Sequence, residues 1–427
     1  MSTFKIAVIG IFIFFAVVGV FVFAGFGSNS AASNPEITLW GTLPAEQMGE
    51  LVHTLNSAST VINLKYTQKS PEDFHNDFAN ALAEGRGPDA VLLPDDLLYQ
   101  EHNKLIPIGF QTYPERDYRD TFIDASDLFV SKTGIWGVPF AVDPLVMYWN
   151  KDIFSTAGIA SPPALWSNLS EIGPSIIQRN NTLTVLRSLI ALGEFRNVTN
   201  AKAILSTLTF QSGNPIDVES EDGYVSTVDV GRGSSKSIDP ALSFFTSFSN
   251  PVKSLYTWNR SLPESRDAFL AGDLAMYLGY SSELLALRAK NPNLNFDVAT
   301  MPQADNAPKA TSGHVYALSI VKNTPHIDAV LASFSMLTSA KTLEIWTKIT
   351  NLPPVRRDLL TARPTDPYLD IFYSAAIQTK TWMDPNPVLT DQIFQDMVES
   401  ITTGRGKITD AVSLAKQKLD QLYVQGR

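Results

Sequence analysis

Between residues 36 and 94, short apolar runs alternate with segments whose apolar residues recur at helical spacing. The runs predict strands and the spaced segments predict helices. The last strand is apolar without interruption, as expected for a strand covered on both faces. This order of elements predicts a doubly wound α/β lobe. The predicted elements are strand Glu36–Trp40, helix Pro44–Ser57, strand Val61–Tyr66, a helix capped by Ser70 and ending at Gly85, and strand Asp89–Pro94.

The most informative pattern lies between residues 133 and 166. Two apolar, β-prone runs, Val138–Ala141 and Leu145–Trp149, are separated by Asp143 and Pro144. Because Pro144 has no amide hydrogen, we expect the chain to change direction there, with one strand leaving a lobe and another entering the next. Asp143 is the only charge at this joint. Clefts between lobes hold small molecules, so Asp143 is a candidate ligand contact.

After this joint, residues 151–293 are rich in helical patterns and loops. Strand-like runs at 296–301 and 315–321 then indicate that the chain returns to the first lobe. The tail from 391 to 422 is helical again. This alternation predicts three crossings between two lobes.

Length and charge narrow the protein class. A chain of 427 residues exceeds what one hydrophobic core normally organises, which predicts two packed units. A hydrophobic content of 44% with 18% charged residues is typical of folded globular proteins. The net charge of -10 argues against nucleic-acid binding, which requires clustered basic residues.

An uncharged apolar segment, Ile6–Phe26, follows Lys5 near the start of the chain. It is long enough to cross the hydrocarbon core of a bilayer, and it predicts a transmembrane anchor with the body of the protein outside the cell membrane. Small residues after Phe23 keep cleavage as a signal peptide open. The chain has no cysteine, which excludes disulfides and a lipid-modified cysteine, so the predicted anchor would be this segment itself.

Catalytic and metal motifs are missing from the sequence. The five histidines show no zinc-ligand spacing, and no Gly-x-Ser-x-Gly elbow occurs. The segment Gly404–Lys407 is better interpreted as the end of a helix than as a phosphate loop. We therefore expect no metal, no cofactor and no enzymatic activity. A glycosidase that uses Asp95, Asp96 and Asp143 stays open, because their spacing in space cannot be read from the sequence.

Carboxylates and aromatic rings together are typical of sugar sites. A carboxylate accepts hydrogen bonds from ligand hydroxyls, and an aromatic ring stacks on the apolar face of a pyranose. Asp95 and Asp96 are neighbours, so in an extended chain only one of them can face a given cleft. The candidate ligand-binding residues, all at the ends of elements or in loops, are Trp40, Asp95, Asp96, Asp143, Tyr280 and Trp382.

Several segments in a fixed order resemble one known family. They are Gly137–Phe154, Pro162–Trp166, Phe269–Met276 and Leu352–Arg356. With them the chain resembles the family 1 extracellular solute-binding proteins, the maltose-binding-like substrate receptors of ABC transporters. The resemblance implies a two-lobed fold of the type II periplasmic-binding-protein class that closes by hinge motion around one solute. A proline directly after Asp143 departs from the maltose-binding member.

The resemblance also implies site positions and a domain division. Asp143, one of Asp95 and Asp96, and Tyr280 fall where carbohydrate-binding members hold their ligand. The expected division is an anchor and spacer at 1–35, a first lobe from 36–142 and 296–348, and a second lobe from 143–295 and 349–427.

The expected function is therefore that of a monomeric, membrane-anchored receptor that delivers a sugar or oligosaccharide to an ABC permease. A polyamine or a glycerol phosphate ester is the alternative solute. A polyamine would suit the acidic residues, whereas an anionic ligand would need basic residues in the cleft. A surface glycosidase and a sensory ectodomain are the alternatives from other classes.

Overall fold

A mixed β-sheet is the central feature of the computed structural model, which describes residues 35–58, 63–221, 223–229 and 237–426. The predicted anchor at Ile6–Phe26 lies outside the described residues. Within the described ranges, no helix is both long and apolar enough to span a bilayer.

The strands fall into one large sheet and two small pairs. They are β1 (Glu36–Gly41), β2 (Asn63–Gln68), β3 (Ala90–Pro94), β4 (Leu105–Ile106), β5 (Val130–Ser131), β6 (Gly134–Ile135), β7 (Val138–Asn150), β8 (Gln178–Arg179), β9 (Val185–Ile190), β10 (Asp217–Ser220), β11 (Gly223–Ser226), β12 (Leu274–Tyr280), β13 (Phe296–Thr300), β14 (Thr311–Val321) and β15 (Thr379–Lys380). The large sheet has the order β2-β1-β3-β14-β7-β12-β9-β8, with β13 paired to β7 and with β4 and β15 paired to β14. The small pairs are β5 with β6 and β10 with β11.

Helices connect and cover these strands. They are α1 (Ala45–Ala58), α2 (Phe74–Ala83), α3 (Leu98–Glu101), α4 (Glu115–Thr121), α5 (Lys151–Thr156), α6 (Leu169–Ile176), α7 (Ala201–Gln211), α8 (Asp239–Ser247), α9 (Ser265–Ala271), α10 (Glu283–Lys290), α11 (Ile327–Leu337), α12 (Ala340–Thr350), α13 (Arg357–Leu360), α14 (Pro367–Gln378), α15 (Pro387–Thr402) and α16 (Ile408–Gln425).

The first strands and helices follow the predicted α/β order. Strand β1 pairs in parallel with both β2 and β3, and β3 is buried along its whole length. The start of α2 differs from the prediction: the helix begins at Phe74, three residues after Pro71, and Ser70 does not cap it. Phe74 and Phe78 are fully buried, and tertiary packing of such an apolar face supplies most of the stability of a short helix.

The predicted break at Pro144 is wrong. β7 is one strand of 13 residues that continues through the proline and is buried throughout. Its partners change there: Val138–Pro144 pairs with β14, whereas β12 pairs with Leu145–Trp149 and β13 with Val146–Asn150. Because the missing amide hydrogen falls where one ladder gives way to the next, the strand tolerates a proline that a uniform ladder would exclude.

Buried apolar side chains form two clusters that meet along β7. Val142 belongs to the first cluster and Leu145 to the second, with Asp143 and Pro144 between them. Strand β13 packs in the second cluster through Phe296 and Val298, which differs from the expected assignment of residue 296 onward to the first lobe. Helix α16 contributes to both clusters.

Candidate functional site

A cavity of about 760 Å³ opens where β3, β12 and β14 present their ends to α7 and α15. The volume is in the range that small-molecule sites occupy. Its walls are mainly polar. The lining comprises Asp95, Asp96, Phe195, Arg196, Val198, Asn200, Ala201, Lys202, Ala203, Ser206, Tyr280, Ser312, Gly313, His314, Thr381, Trp382, Asp384, Asp391, Gln392 and Gln395.

Asp95 and Asp96 reach the cavity from the short 3-10 turn that directly follows β3. Asp95 is buried, and its Oδ1 atom accepts hydrogen bonds from the backbone N–H of Val315 at 3.0 Å and from Nδ1 of His314 at 3.2 Å. Asp95 therefore joins the end of β3 to β14 through its Oδ1 atom.

His314 lies beside the carboxylates as a cation. Burial disfavours the imidazolium, but the hydrogen bond to Asp95 and the charges of Asp96, Asp95 and Asp143 outweigh burial and raise the pKa of His314 to about 9. The imidazole ring packs against the ring of Tyr280 with centroids 5.0 Å apart. With Nδ1 bonded to Asp95, Nε2 is the remaining donor of this ring.

Asp96 is the carboxylate at this wall that keeps its acceptors available. Oδ2 of Asp96 lies 4.0 Å from Nδ1 of His314, which is beyond hydrogen-bond distance. Within the described residues, neither of its side-chain oxygens accepts a hydrogen bond from a protein side chain or amide of another residue. Burial raises the pKa of Asp96, and the charges of His314 and Lys202 oppose that shift.

The opposite wall holds a buried ion pair. Lys202, at the start of α7, donates from Nζ to Oδ2 of Asp384 at 2.9 Å, to the carbonyl of Pro387 at 3.1 Å and to Oγ1 of Thr390 at 3.1 Å. These three bonds use all three ammonium hydrogens. Burial acts to lower the pKa of Lys202, but Asp384 and Asp96 raise it overall, so this lysine stays charged.

Asp143 lies behind the cavity and is not part of its lining. It is buried, and Oδ1 accepts hydrogen bonds from Oγ of Ser281 at 2.7 Å and from the backbone N–H of Ser282 at 3.0 Å. These bonds hold the turn that follows β12, where Tyr280 enters the cavity. The observed contacts of Asp143 therefore position Tyr280.

The two candidate tryptophans have different surroundings. Trp382 lines the cavity and stacks on Phe394 with ring centroids 6.1 Å apart. Trp40 does not line it, and its ring is covered by the ammonium group of Lys69 at 4.1 Å. The structure thus brings Asp95, Asp96, Tyr280 and Trp382 to one cavity and leaves Trp40 and Asp143 outside its lining.

Five charged residues of the cavity lining are absent from the candidates found in the sequence, namely Arg196, Lys202, His314, Asp384 and Asp391. His314 lies directly before the predicted strand at 315–321, so its place at a strand end is a usable signal, although the spacing of the histidines indicates no metal site. Asp384 lies two residues after Trp382 in the same loop, so the loop itself pointed to it. Lys202 begins a helix with no local motif, and nothing in the sequence pairs it with Asp384. Within the described residues, no group of His, Asp or Glu is arranged to hold a metal ion.

The sequence matches a known family over most of its length. A model of the bacterial extracellular solute-binding proteins matches residues 44–344. The chain belongs to this family. No curated protein matches the sequence.

Solved structures share the α/β solute-binding fold at low identity. The cyclic alpha-maltosyl-1,6-maltose binding protein of Arthrobacter globiformis is 17% identical, with a TM-score of 0.75 over 92% of this chain and 100% of its own. The sugar-binding protein MalE of Xanthomonas citri is 19% identical, with a TM-score of 0.73 over 92% and 98%. A solute-binding protein of Thermotoga lettingae, solved with alpha-D-tagatose, is 18% identical, with a TM-score of 0.67 over 91% and 100%.

Proposed function

We propose that this solute-binding protein captures a neutral polyhydroxylated ligand, a sugar or an oligosaccharide, in the cavity between Asp96 and Trp382. The closing of two lobes about β7 would enclose the ligand, and an ABC permease would receive it. Of the candidates found in the sequence, Asp96, Tyr280 and Trp382 are the proposed ligand contacts. Nε2 of His314 is proposed to donate a hydrogen bond to the ligand. Asp95 and Asp143 act by positioning His314 and Tyr280.

The balance of hydrogen-bonding groups carries this proposal. The cations Lys202 and His314 already bond to Asp384 and Asp95, whereas the carboxylate of Asp96 keeps its oxygens available. At the rim, the amide nitrogens of Gln392 and Gln395 are bonded to neighbouring acids, which leaves their oxygens as acceptors. A cavity with an excess of free acceptors suits a ligand that brings many hydroxyl donors.

The same balance disfavours the other solutes. A phosphate ester would meet the negative charge of Asp96, and the ammonium and guanidinium groups of the lining, those of Lys202 and Arg196, are already paired with Asp384 and Glu399. A polyamine would meet the charges of Lys202 and His314 in the walls. Stacking faces at Tyr280 and Trp382 favour a pyranose further. The cyclic alpha-maltosyl-1,6-maltose binding protein and the solute-binding protein solved with alpha-D-tagatose support this ligand class.

Further parts of the proposal come from the sequence. We propose that Ile6–Phe26 anchors a monomer whose body faces outward, and that the protein catalyses no reaction. For the lobes we propose the division at Asp143 given by the sequence, with residues 296–300 moved to the second lobe because β13 packs there, and residues 352–360 moved to the first because Leu352, Val355 and Leu360 pack there. The members of this family are extracellular solute-binding proteins, which supports the proposal that the body of the protein faces outward.

Isothermal titration of the full-length protein tests the ligand class. The protein would be purified in a detergent without a sugar headgroup, because such a headgroup could occupy the cavity. The panel contains mono- to tetrasaccharides, polyols, spermidine and glycerol 3-phosphate. We expect saturable heat with at least one saccharide and none with spermidine or glycerol 3-phosphate.

Substitution then locates the binding. Asp96→Asn weakens one charge-assisted acceptor, so we expect saccharide affinity to fall about 10- to 100-fold. Asp120→Asn is the matched control, because this carboxylate on α4 is 69% exposed and does not line the cavity. Binding of spermidine or glycerol 3-phosphate without any saccharide would overturn the ligand class. Saccharide affinity that is equal in the two variants would overturn the site.

A further inference from the structure

The two walls of the cavity are also connected behind it, through a pair of buried tyrosines. Tyr99 lies on α3, three residues after Asp96, and its hydroxyl donates to the backbone carbonyl of Tyr423 at 2.5 Å. Tyr423 lies in the last turn of α16, where carbonyls have no partner within the helix. Tyr99 therefore supplies a hydrogen-bond donor to a carbonyl at the buried end of this helix.

The side chain of Tyr423 continues the connection to the opposite wall. Its hydroxyl donates to the backbone carbonyl of Met383 at 2.8 Å, and the backbone N–H of Met383 donates to Oδ2 of Asp217 at 3.2 Å. Both polar backbone groups of Met383 are thus held by side chains of other elements. Met383 separates Trp382 from Asp384, and both of these neighbours line the cavity.

Packing supports the same connection. The rings of Tyr99 and Tyr423 meet edge to face with centroids 5.5 Å apart, and Tyr423 is fully buried. Tyr423 belongs to the first hydrophobic cluster, whereas Val412 and Leu419 of the same helix belong to the second. Helix α16 is therefore anchored in both clusters, and Tyr423 is its contact with the first.

We infer that Tyr423 is a positioning residue that holds the turn with Asp95 and Asp96 in register with the turn containing Trp382 and Asp384. Its carbonyl is bonded on the side of Tyr99 and its hydroxyl on the side of Met383. A ligand that contacts both walls then binds to a preformed arrangement, which lowers the ordering cost of binding. This inference rests on the proposed function only for its effect on affinity.

Hydrogen exchange in the ligand-free, full-length protein tests the connection without any ligand. In Tyr423→Phe the ring remains and the bond to the carbonyl of Met383 is lost. We expect the amides of residues 382–384 to exchange about tenfold faster, because the loss of one buried hydrogen bond makes local opening more frequent by roughly that factor. In Tyr99→Phe the carbonyl of Tyr423 loses its partner, so exchange should accelerate in the last turn of α16 as well.

Tyr118→Phe is the matched control. Tyr118 is equally buried, and its hydroxyl also bonds to backbone carbonyls, those of Ser126 and Gly137, but the chain neighbours of both, Ala125 and Val138, belong to the first cluster. This variant should lower the melting temperature without changing the hydrogen exchange of the amides of residues 382–384. If Tyr423→Phe and Tyr118→Phe gave the same exchange at 382–384, Tyr423 would not be a positioning residue.

Affinity for the best saccharide of the panel provides the second readout. We expect Tyr423→Phe to weaken it about three- to tenfold at a temperature where the variant is fully folded. If Tyr423→Phe exchanged faster but the native protein bound no saccharide, the inferred connection would be supported and only the proposed function would be contradicted. Faster exchange with unchanged saccharide affinity would show that the connection does not position the site, and would overturn the inference.

Discussion

Gly313 of β14 lies directly opposite Pro144 of β7, and a Cβ atom on Gly313 would be 2.9 Å from the Cα atom of Pro144. The same Cβ would be 3.0 Å from the carbonyl oxygen of Asp143 and 2.8 Å from a methyl group of Thr379. Two of these three neighbours are backbone atoms, which cannot rotate away. The proline in the joint between the clusters is therefore matched by the absence of a side chain across from it.

We expect Gly313→Ala to lower the free energy of unfolding by about 1–3 kcal/mol, the usual cost of overpacking a closed site. Urea denaturation would measure it. Gly49→Ala is the control, because nothing lies within 4 Å of a Cβ there and the residue is inside helix α1. The control should stabilise the protein by about 0.5–1 kcal/mol. Equal effects of the two substitutions would show that the joint has room for a side chain.

The ion pair between Lys202 and Asp384 leads to a second prediction. The side chain of Asp384 is 1% exposed, so Lys202→Met leaves a carboxylate that neither water nor a cation can stabilise. We expect a loss of about 3–5 kcal/mol in unfolding free energy at pH 7, again measured in urea. The double variant with Asp384→Asn should recover part of this loss, because the amide carries no charge.

An exposed pair of the same type serves as the control. Lys416 and Asp420 lie one turn apart on α16 and are each about one-third exposed. Lys416→Met should change the unfolding free energy by less than about 0.5 kcal/mol. A loss for Lys202→Met as small as that of this control would mean that Asp384 is solvated in the folded protein.

Local periodicity predicted the elements that depend on local physics. The buried face of α1 consists of Met48, Leu51, Val52 and Leu55, the residues whose helical spacing predicted that helix. The continuity of β7 could not be predicted in this way. Whether a proline breaks a strand depends on which neighbours pair with it on each side, and those neighbours, β12 and β14, lie more than 100 residues further along the chain.

The site was predictable to the extent that strand ends identify it. Asp95, Asp96 and Tyr280 follow or end strands, and all three reach the cavity. Trp40 also lies at the end of a strand, one residue before the last of β1, but Lys69 covers its ring. The pairing of Lys202 with Asp384 joins residues 182 positions apart, so no spacing rule could indicate it.

The elevated pKa of His314 gives the last prediction. Its folded-state value of about 9 lies above the 6.5 of an unperturbed histidine, so the imidazolium contributes stability that is fully present below pH 6.5 and is lost as the pH rises through 9. The neighbouring hydroxyls of Tyr280 and Tyr316 do not titrate in this window, because burial raises the pKa of both well above 10. We therefore expect the stability difference between the native protein and His314→Gln to shrink between pH 6 and pH 10.

NMR titration of the imidazole of His314 should show a midpoint near 9. This midpoint should fall in Asp95→Asn, where the hydrogen-bonded carboxylate is lost. A midpoint near 6.5 in the native protein would contradict the charged state of His314 and with it the assignment of Nε2 as a donor to the ligand.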